Sequence, residues 1–260
     1  MDEIFSSAFK NEKIFFKYAK GKRDIFGKEF HNFHEIFLFL KGKAEFISEE
    51  QKIILKPGTL LVIPKEKYHQ FNVHGLERDY VRCVFNFFDI PEFSSIIEEK
   101  MNTIFISETN DFINYIFEKS KNIINENLPD DIKSELYKSL LLMLLYEIKP
   151  EIIFKDIPNN LDKLTLQCID YINKNLMSSI TASEISSFLN VSSSYLSHKF
   201  KKDMNISLYK FILEKKIIVA NQKIMSGENP TRVALDCGFS DYSGFYKQFK
   251  KMFGKPPSKA

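Results

Sequence analysis

The chain lacks the long apolar run that a membrane span requires. Across its 260 residues the best candidate, Leu140 to Tyr146, is closed off by Lys138 and Glu147, far short of the roughly 18 to 20 consecutive apolar residues needed to cross a bilayer as a helix. Cysteine is scarce too. Cys83, Cys168 and Cys237 are odd in number, far apart and never in C-x-x-C spacing, which argues against a disulfide framework or a zinc site and fits a reducing cytosol. The opening MDEIFSSAFKNEK mixes acidic residues and lysines where a signal peptide needs uninterrupted apolar residues, so export is not expected and a cytoplasmic protein is.

Negative charge is short in one half only. Residues 160–260 carry 14 Lys and one Arg against eight Asp and Glu, a net +7, whereas residues 1–159 carry 22 basic and 26 acidic residues, a net −4. Such a split points to an anionic partner for the C-terminal half, with solvated lysines on an ordinary surface as the alternative.

The first hundred residues pattern as strands. EIFLFLKGKAEFI (35–47) and KIILKPGTLLVIP (52–64) each read as strand, Gly-containing turn, strand, and YHQFNV (68–73) and YVRCVFNFF (80–88) follow after short polar breaks. Regularly spaced short strands predict a barrel or sandwich. After Pro91 the period changes: residues 111–124 and 130–149 show helical spacing, the second apolar nearly all round at its centre. Such a helix must be covered on more than one side, by the barrel, its neighbour or a second subunit. PEIIFKDIPNN (150–160), bracketed by prolines and ending in Asn-Asn, reads as a linker.

From Leu161 onward the pattern is short helices, and one phrase occurs twice. In the first copy, Thr181 and Glu184 stand in capping-box spacing at the start of a helix with Ile185, Phe188 and Leu189 predicted inward. Asn190 stops it, and VSSSYLSHKFKKD follows with Leu196 and Phe200 inward and Ser194, Ser197, His198 and Lys201 on the opposite stripe. An earlier helix, 161–176, is expected to bury Leu164, Cys168, Tyr171 and Ile172. In the second copy Asn229-Pro230 opens a helix, Gly238 takes the turn, and Phe245 and Phe249 face inward beneath an outer stripe of Ser243, Tyr246, Lys247 and Lys250. A pair of helices with a tight turn and a small, polar to basic outer face on the second meets the requirements of a helix-turn-helix entering a major groove about 12 Å wide. Two such readers on a connecting helix can address successive turns of a duplex, about 34 Å apart.

SSSYLSHKFKKDMN and VALDCGFSDYSGFYKQFKKMFGKPPS resemble the DNA-binding domain of the AraC-type transcription regulators over residues 163–257. Departures from that pattern are Ser186, Asn205 and Gly244, the last a glycine inside the second recognition helix. The resemblance implies base-facing positions at Ser194, Ser197 and His198 in the first unit and Tyr242, Ser243, Tyr246 and Lys247 in the second. Lys201, Lys202, Lys250 and Lys251 then read as phosphate contacts, which position a protein without reading sequence.

EFHNFHEIFLFLKGKAEF and PGTLLVIPKEKYHQF resemble the cupin-type sensor domain of the same regulators. The implied fold is a two-domain α+β protein: a cupin-like β-barrel (1–106), dimerisation helices (107–150), a linker (151–160) and an all-α domain with two helix-turn-helix units (161–260). Alternation of Phe on the strands predicts an effector pocket drawn from Phe33, Phe37, Phe39, Phe46 and Phe85, with His31, Glu35 or His69 as polar groups. Glu29, His31, Glu35 and His69 also fall at the spacing of a cupin metal site with Glu for the first His, against which stands the reading of locally hydrogen-bonded histidines; no cofactor is expected. The implied partners are promoter DNA, a small-molecule effector, a second copy through 107–150 and RNA polymerase. The competing readings are a constitutive activator whose barrel only dimerises, and a cupin enzyme carrying a DNA-binding module, for which no cysteine stands in a nucleophile context.

Overall fold

The computed structural model describes residues 6–21, 31–74, 80–148 and 160–259. Glu29 and residues 151–159 of the expected linker lie outside them. The chain divides into two compact units, Met1–Asn160 and Leu161–Ala260.

In the first unit nine strands are described: β1 (Ser6–Lys10), β2 (Ile14–Lys20), β3 (His34–Lys41), β4 (Lys43–Ser48), β5 (Lys52–Ile54), β6 (Thr59–Ile63), β7 (His69–His74), β8 (Val81–Phe87) and β9 (Phe105–Glu108). They form a six-stranded sheet in the order β1-β2-β8-β3-β6-β9 and a three-stranded sheet in the order β5-β4-β7. The pairings are antiparallel. β3 to β8 fall where the sequence patterns predict strands; β1, β2 and β9 are additions, and they widen the larger sheet at both edges.

The larger sheet is buried on both faces, and the two-residue pleat sorts its side chains into two cores. Ile36, Leu38, Leu60, Val62, Cys83 and Phe85 face one core, shared with Tyr137, Leu141 and Leu144 of the helices. Phe37, Phe39, Leu61, Ile63 and Val84 face the other, closed by Ala44, Phe46, Ile53 and the partly buried Phe71 and Val73 of the smaller sheet. Double coverage is why TLLVI of β6 is buried at every position, where a one-sided sheet would alternate.

The helices of the 107–150 segment pack on this sheet, inside the same compact unit as the strands. α1 (Ser94–Lys100) precedes them. α2 (Asp111–Asn125) is capped by the Asn110 side chain, which accepts from the Ile113 amide at 2.8 Å. α3 (Asp130–Glu147) buries Tyr137, Leu140, Leu141, Leu144 and Leu145. It leaves Ile132, Leu136, Leu142, Met143 and Tyr146 exposed, beside exposed Phe112 and Tyr115 of α2.

The second unit is helical: α4 (Lys163–Asn175), α5 (Ala182–Phe188), α6 (Ser193–Met204), α7 (Leu208–Met225), α8 (Pro230–Asp236) and α9 (Tyr242–Phe253). Local chemistry sets most boundaries. Thr181 and Glu184 make the reciprocal capping box of α5, Ser192 caps α6 and Ser207 caps α7, and Asn229 followed by Pro230 opens α8.

Inward assignments on α4 and α5 are corrected, and Leu189 too is only half-buried. α4 buries Thr165, Cys168, Ile169 and Ile172, while Leu164 and Tyr171 are only half-buried. Thr165 goes inside because its hydroxyl donates to the buried Asp203 carboxylate of α6 at 2.6 Å, which satisfies both polar groups. Phe188 of α5 is 63% exposed and packs sideways on the Tyr171 ring at 4.7 Å. Ser186 is buried in its place, where its hydroxyl reaches the Ser183 carbonyl at 2.9 Å and the Ser193 hydroxyl at 2.7 Å, joining α5 to α6.

Candidate nucleic-acid interface and sensor cavity

Each recognition helix hangs on a pair of buried residues one turn apart. Leu196 and Phe200 anchor α6, and Phe245 and Phe249 anchor α9. With these faces fixed inward, Ser194, His198, Lys201 and Lys202 are exposed and Ser197 is half-buried. On α9, Ser243, Lys247, Lys250 and Lys251 are exposed, while Tyr242 and Tyr246 are half-buried with ring centroids 6.3 Å apart. Tyr242 also leans on Phe245 at 5.8 Å, so its ring is braced against the core.

A cleft of about 580 Å³ runs between the two helix-turn-helix units, with Ser197, His198 and Lys201 on one side and Gly238, Phe239 and Ser240 on the other. Its floor includes Lys216 of α7, a lysine 5% exposed overall. The Lys216 ammonium donates to the Ser178 carbonyl at 2.7 Å. A Cβ on Gly238 would lie 2.8 Å from that ammonium nitrogen and 3.0 Å from the Ser178 oxygen. One buried lysine thus ties the segment before α5, the connecting helix and the turn of the second unit together. Sequence reading gave Lys216 no role; a lysine at an otherwise apolar helix position, Lys-Ile-Ile-Val-Ala, is the signal that marks it.

In the first unit the polar groups gather near one end of the space between the sheets. His31, Glu35 and His69 offer ligand atoms that all lie within 4.8 Å of one another. The His31 Nδ1 bonds the Phe33 carbonyl at 2.8 Å, and the His69 Nδ1 bonds the Lys67 carbonyl at 3.1 Å. A carbonyl only accepts, so both Nδ1 atoms carry the proton. Burial holds His31 well below the ordinary histidine range and pushes His69 down to about 4. Burial likewise pushes the Glu35 carboxyl up to about 8, with the Arg82 guanidinium pulling the other way.

Beside this cluster lies a cavity of about 90 Å³ lined by Glu35, Phe37, Phe71, Tyr80, Arg82 and Asn86 among others. That is well above the roughly 10–15 Å³ a single water occupies in the same measure. The Asn86 Oδ1 is buried without a hydrogen-bond partner, and the Arg82 guanidinium donates to the Gly21 carbonyl at 2.9 Å.

The expected aromatic lining is brought together only in part. Phe37 lines the cavity. Phe39 and Phe46 are fully buried between the sheets and fill space. Phe33 stacks on His31 at 3.9 Å and borders a different cavity with Phe87 and Phe88. Phe85 is a correction: the pleat turns it to the helix side, onto Phe16 and Phe117, whereas its neighbours Val84 and Asn86 face the cavity. Phe71, Tyr80, Arg82 and Asn86 are among the lining residues that sequence reading missed. The three cysteines are buried, and burial pushes the Cys83 and Cys168 thiols up to about 12, the opposite of an activated nucleophile. Among the described residues no helix is long and apolar enough to cross a membrane.

Comparison with known proteins agrees with this division. Residues 185–260 match the family model of a helix-turn-helix domain, and residues 13–87 match that of an AraC-like ligand binding domain. The chain is 28% identical over 222 residues to the probable transcriptional regulator LumQ of Photobacterium leiognathi, covering 83% of this chain and 84% of that one. It is 33% identical over 130 residues to the Msm operon regulatory protein of Streptococcus mutans, covering 48% of this chain and 45% of that one. Among solved structures, ToxT from Vibrio cholerae aligns over 100% of this chain and 94% of its own, at 12% identity and a TM-score of 0.40. The chain thus joins an AraC-like ligand-binding domain to a C-terminal helix-turn-helix domain, the two-domain make-up of a DNA-binding transcription regulator.

Proposed function

We propose that the two recognition helices read promoter DNA together. Ser194, Ser197 and His198 of α6 and Tyr242, Ser243, Tyr246 and Lys247 of α9 meet base edges, while Lys201, Lys202, Lys250 and Lys251 hold phosphate. The observation that carries this reading is the pair of 12-residue helices, each anchored by two buried residues and each turning its small and basic side chains outward. The net +7 of residues 160–260 supports it. An effector enters the space between the sheets near Glu35, Phe37 and Arg82, where the cavity and the unpartnered Asn86 oxygen offer both room and polarity. The exposed apolar residues of α2 and α3 make the homodimer face, RNA polymerase is the downstream partner, and the cytoplasm is the compartment.

Titrating the full chain with labelled upstream DNA at two salt concentrations tests the reading. The expected log K against log salt slope is about −0.9 per phosphate contacted, and salt-insensitive or absent binding overturns it. For the dimer, Leu136→Lys with Met143→Lys is expected to shift sedimentation from dimer to monomer at micromolar concentration, since a charge on a buried interface core is strongly disfavoured.

A further inference from the structure

We infer, resting on the proposal that α6 and α9 read one duplex together, that Lys216 is a positioning residue for DNA recognition: it fixes the angle between the two recognition helices and so sets the half-site spacing the chain accepts. α7 is the bar between the readers. Near its start Phe211 meets Phe200, an anchor of α6, with ring centroids 5.2 Å apart. In its second half Ile217 and Ala220 share a core with Val233, Phe245 and Phe249 of the second reader. The 18 residues of α7 span about 27 Å at about 1.5 Å each, the right order for readers that must reach successive major grooves about 34 Å apart. Length alone does not set their mutual rotation.

Rotation is held where the two readers meet, at the floor of the cleft. On the first side the Ser178 backbone is fixed to the end of α4, because the Ser178 amide and hydroxyl both donate to the Asn175 carbonyl, at 2.9 and 2.7 Å. On the second side the Gly238 amide donates to the Leu235 carbonyl of α8 at 2.8 Å. The two backbones approach so closely that a Cβ on Gly238 would stand 3.0 Å from the Ser178 oxygen. Lys216 enters this junction from α7 and donates to that oxygen at 2.7 Å. Its side chain is buried, and burial pulls its ammonium below the usual lysine range. A buried charge is a poor source of stability, since an apolar side chain of similar volume often serves as well. What the ammonium adds is direction, a charged donor aimed at one carbonyl. It lies beneath the walls that carry Ser197, His198 and Lys201 on one side and Ser240 on the other, so it acts through those groups and not on DNA itself.

The test uses the full chain and a duplex that the wild type selects from a random pool, with footprinting to mark its two half-sites. Fluorescence anisotropy gives the affinity for that duplex, for duplexes with one base pair added or removed between the half-sites, and for duplexes with either half-site scrambled. One base pair rotates the second half-site by about a tenth of a turn. Simultaneous engagement is lost when geometry forbids it, so the wild type is expected to lose at least about 10-fold on either spacing change. Lys216→Met is expected to shrink that penalty to about threefold or less, weakening binding to the selected duplex while leaving binding to the half-scrambled duplexes unchanged. A lysine that only stabilises the fold would lower the active fraction equally on every duplex; equal spacing ratios in variant and wild type therefore overturn the inference. So does a fall of about one in the salt slope of Lys216→Met, which marks a phosphate contact. Should Lys216→Met fail to fold by circular dichroism, Lys216→Gln is read in the same way, and failure of both overturns the inference in favour of a folding role. A wild type that binds equally well with either half-site scrambled refutes the joint reading by α6 and α9, and this inference with it. A wild type that needs both half-sites, with spacing ratios unchanged in Lys216→Met, refutes the role of the lysine alone.

Discussion

The two helix-turn-helix units place their recognition helices alike and turn into them differently. α6 and α9 are both 12 residues long and both end on a left-handed residue, Asn205 at φ 58° and Gly254 at φ 73°. The connections are not the same length: four residues, 189–192, separate α5 from α6, and five, 237–241, separate α8 from α9. Each has a left-handed residue at the bend, Asn190 at φ 55° and Gly238 at φ 72°. The first unit uses asparagine there and the second glycine for a reason outside the turn. Gly238 is crowded by Lys216 and Ser178, whereas Asn190 is exposed. A shared backbone requirement is thus met by whichever residue the neighbouring packing admits.

The largest effect expected from breaking that comparison is at Gly238. Gly238→Ala forces a Cβ into left-handed backbone, about 1–2 kcal/mol, and into the Lys216–Ser178 contact; the total loss of stability is expected at about 2–4 kcal/mol by chemical denaturation. Asn190→Gly is expected to change stability by less than about 0.5 kcal/mol, since it relieves the strain but frees the unfolded chain. Adding Lys216→Met to Gly238→Ala should recover part of the loss, giving a coupling of about 1 kcal/mol in a double-mutant cycle. Strict additivity of the two would remove Lys216 from the explanation.

Next in size is the division of labour within α9. Lys247→Ala is expected to cost about 1–3 kcal/mol of DNA affinity and to relax preference at one base pair, because lysine can donate to guanine O6 and N7. Lys251→Ala is expected to weaken binding equally on all sequences and to lower the salt slope by about one. Titrating both variants against the target and its single-base variants separates them. A uniform loss for Lys247→Ala would mean that α9 sits rotated in the groove and that Tyr242, Ser243 and Tyr246 alone read sequence.

What was legible in the sequence was the chemistry that acts within a few residues. The Thr181–Glu184 box, the Asn229-Pro230 start and the Leu196/Phe200 and Phe245/Phe249 pairs are written at fixed short spacings, and all recur in the structure. What depended on a distant partner was not. Thr165 displaces Leu164 from the α4 interior because Asp203, 38 residues away, accepts its hydroxyl. Strand β2 is held by β8, with Phe16 opposite Phe85, and nothing inside IFFKYAK announces that pairing. The sensor cavity failed at the same point. Alternation marked Phe37 and Phe85 as buried, but which faces the cavity is decided by the helices that cover the other side of the sheet, onto which Phe85 packs through Phe117.

The smallest effect expected concerns the glycine that distinguishes the two recognition helices. Counting from the N-caps, Ser192 and Asp241, Gly244 of α9 stands where α6 has Tyr195, itself 55% exposed. Nothing in the fold demands glycine there. Its φ is helical, and an added Cβ would meet only the Asp241 carboxylate, at 3.5 Å and beyond, an ordinary van der Waals approach. Glycine inside a helix costs about 1 kcal/mol relative to alanine, somewhat less near the first turn, so Gly244→Ala is expected to stabilise the C-terminal unit by about 0.5–1 kcal/mol in thermal or denaturant unfolding. On the helix, residue 244 lies on the same flank as Lys251, seven positions on, and borders the outward stripe at Lys247, three positions on, without lying at its centre. Base discrimination should therefore be unchanged, with any change in affinity shared by all sequences. A loss confined to particular base pairs would put position 244 on the reading face, and would make the glycine, rather than Tyr242 or Ser243, the reason α9 can approach the bases closely.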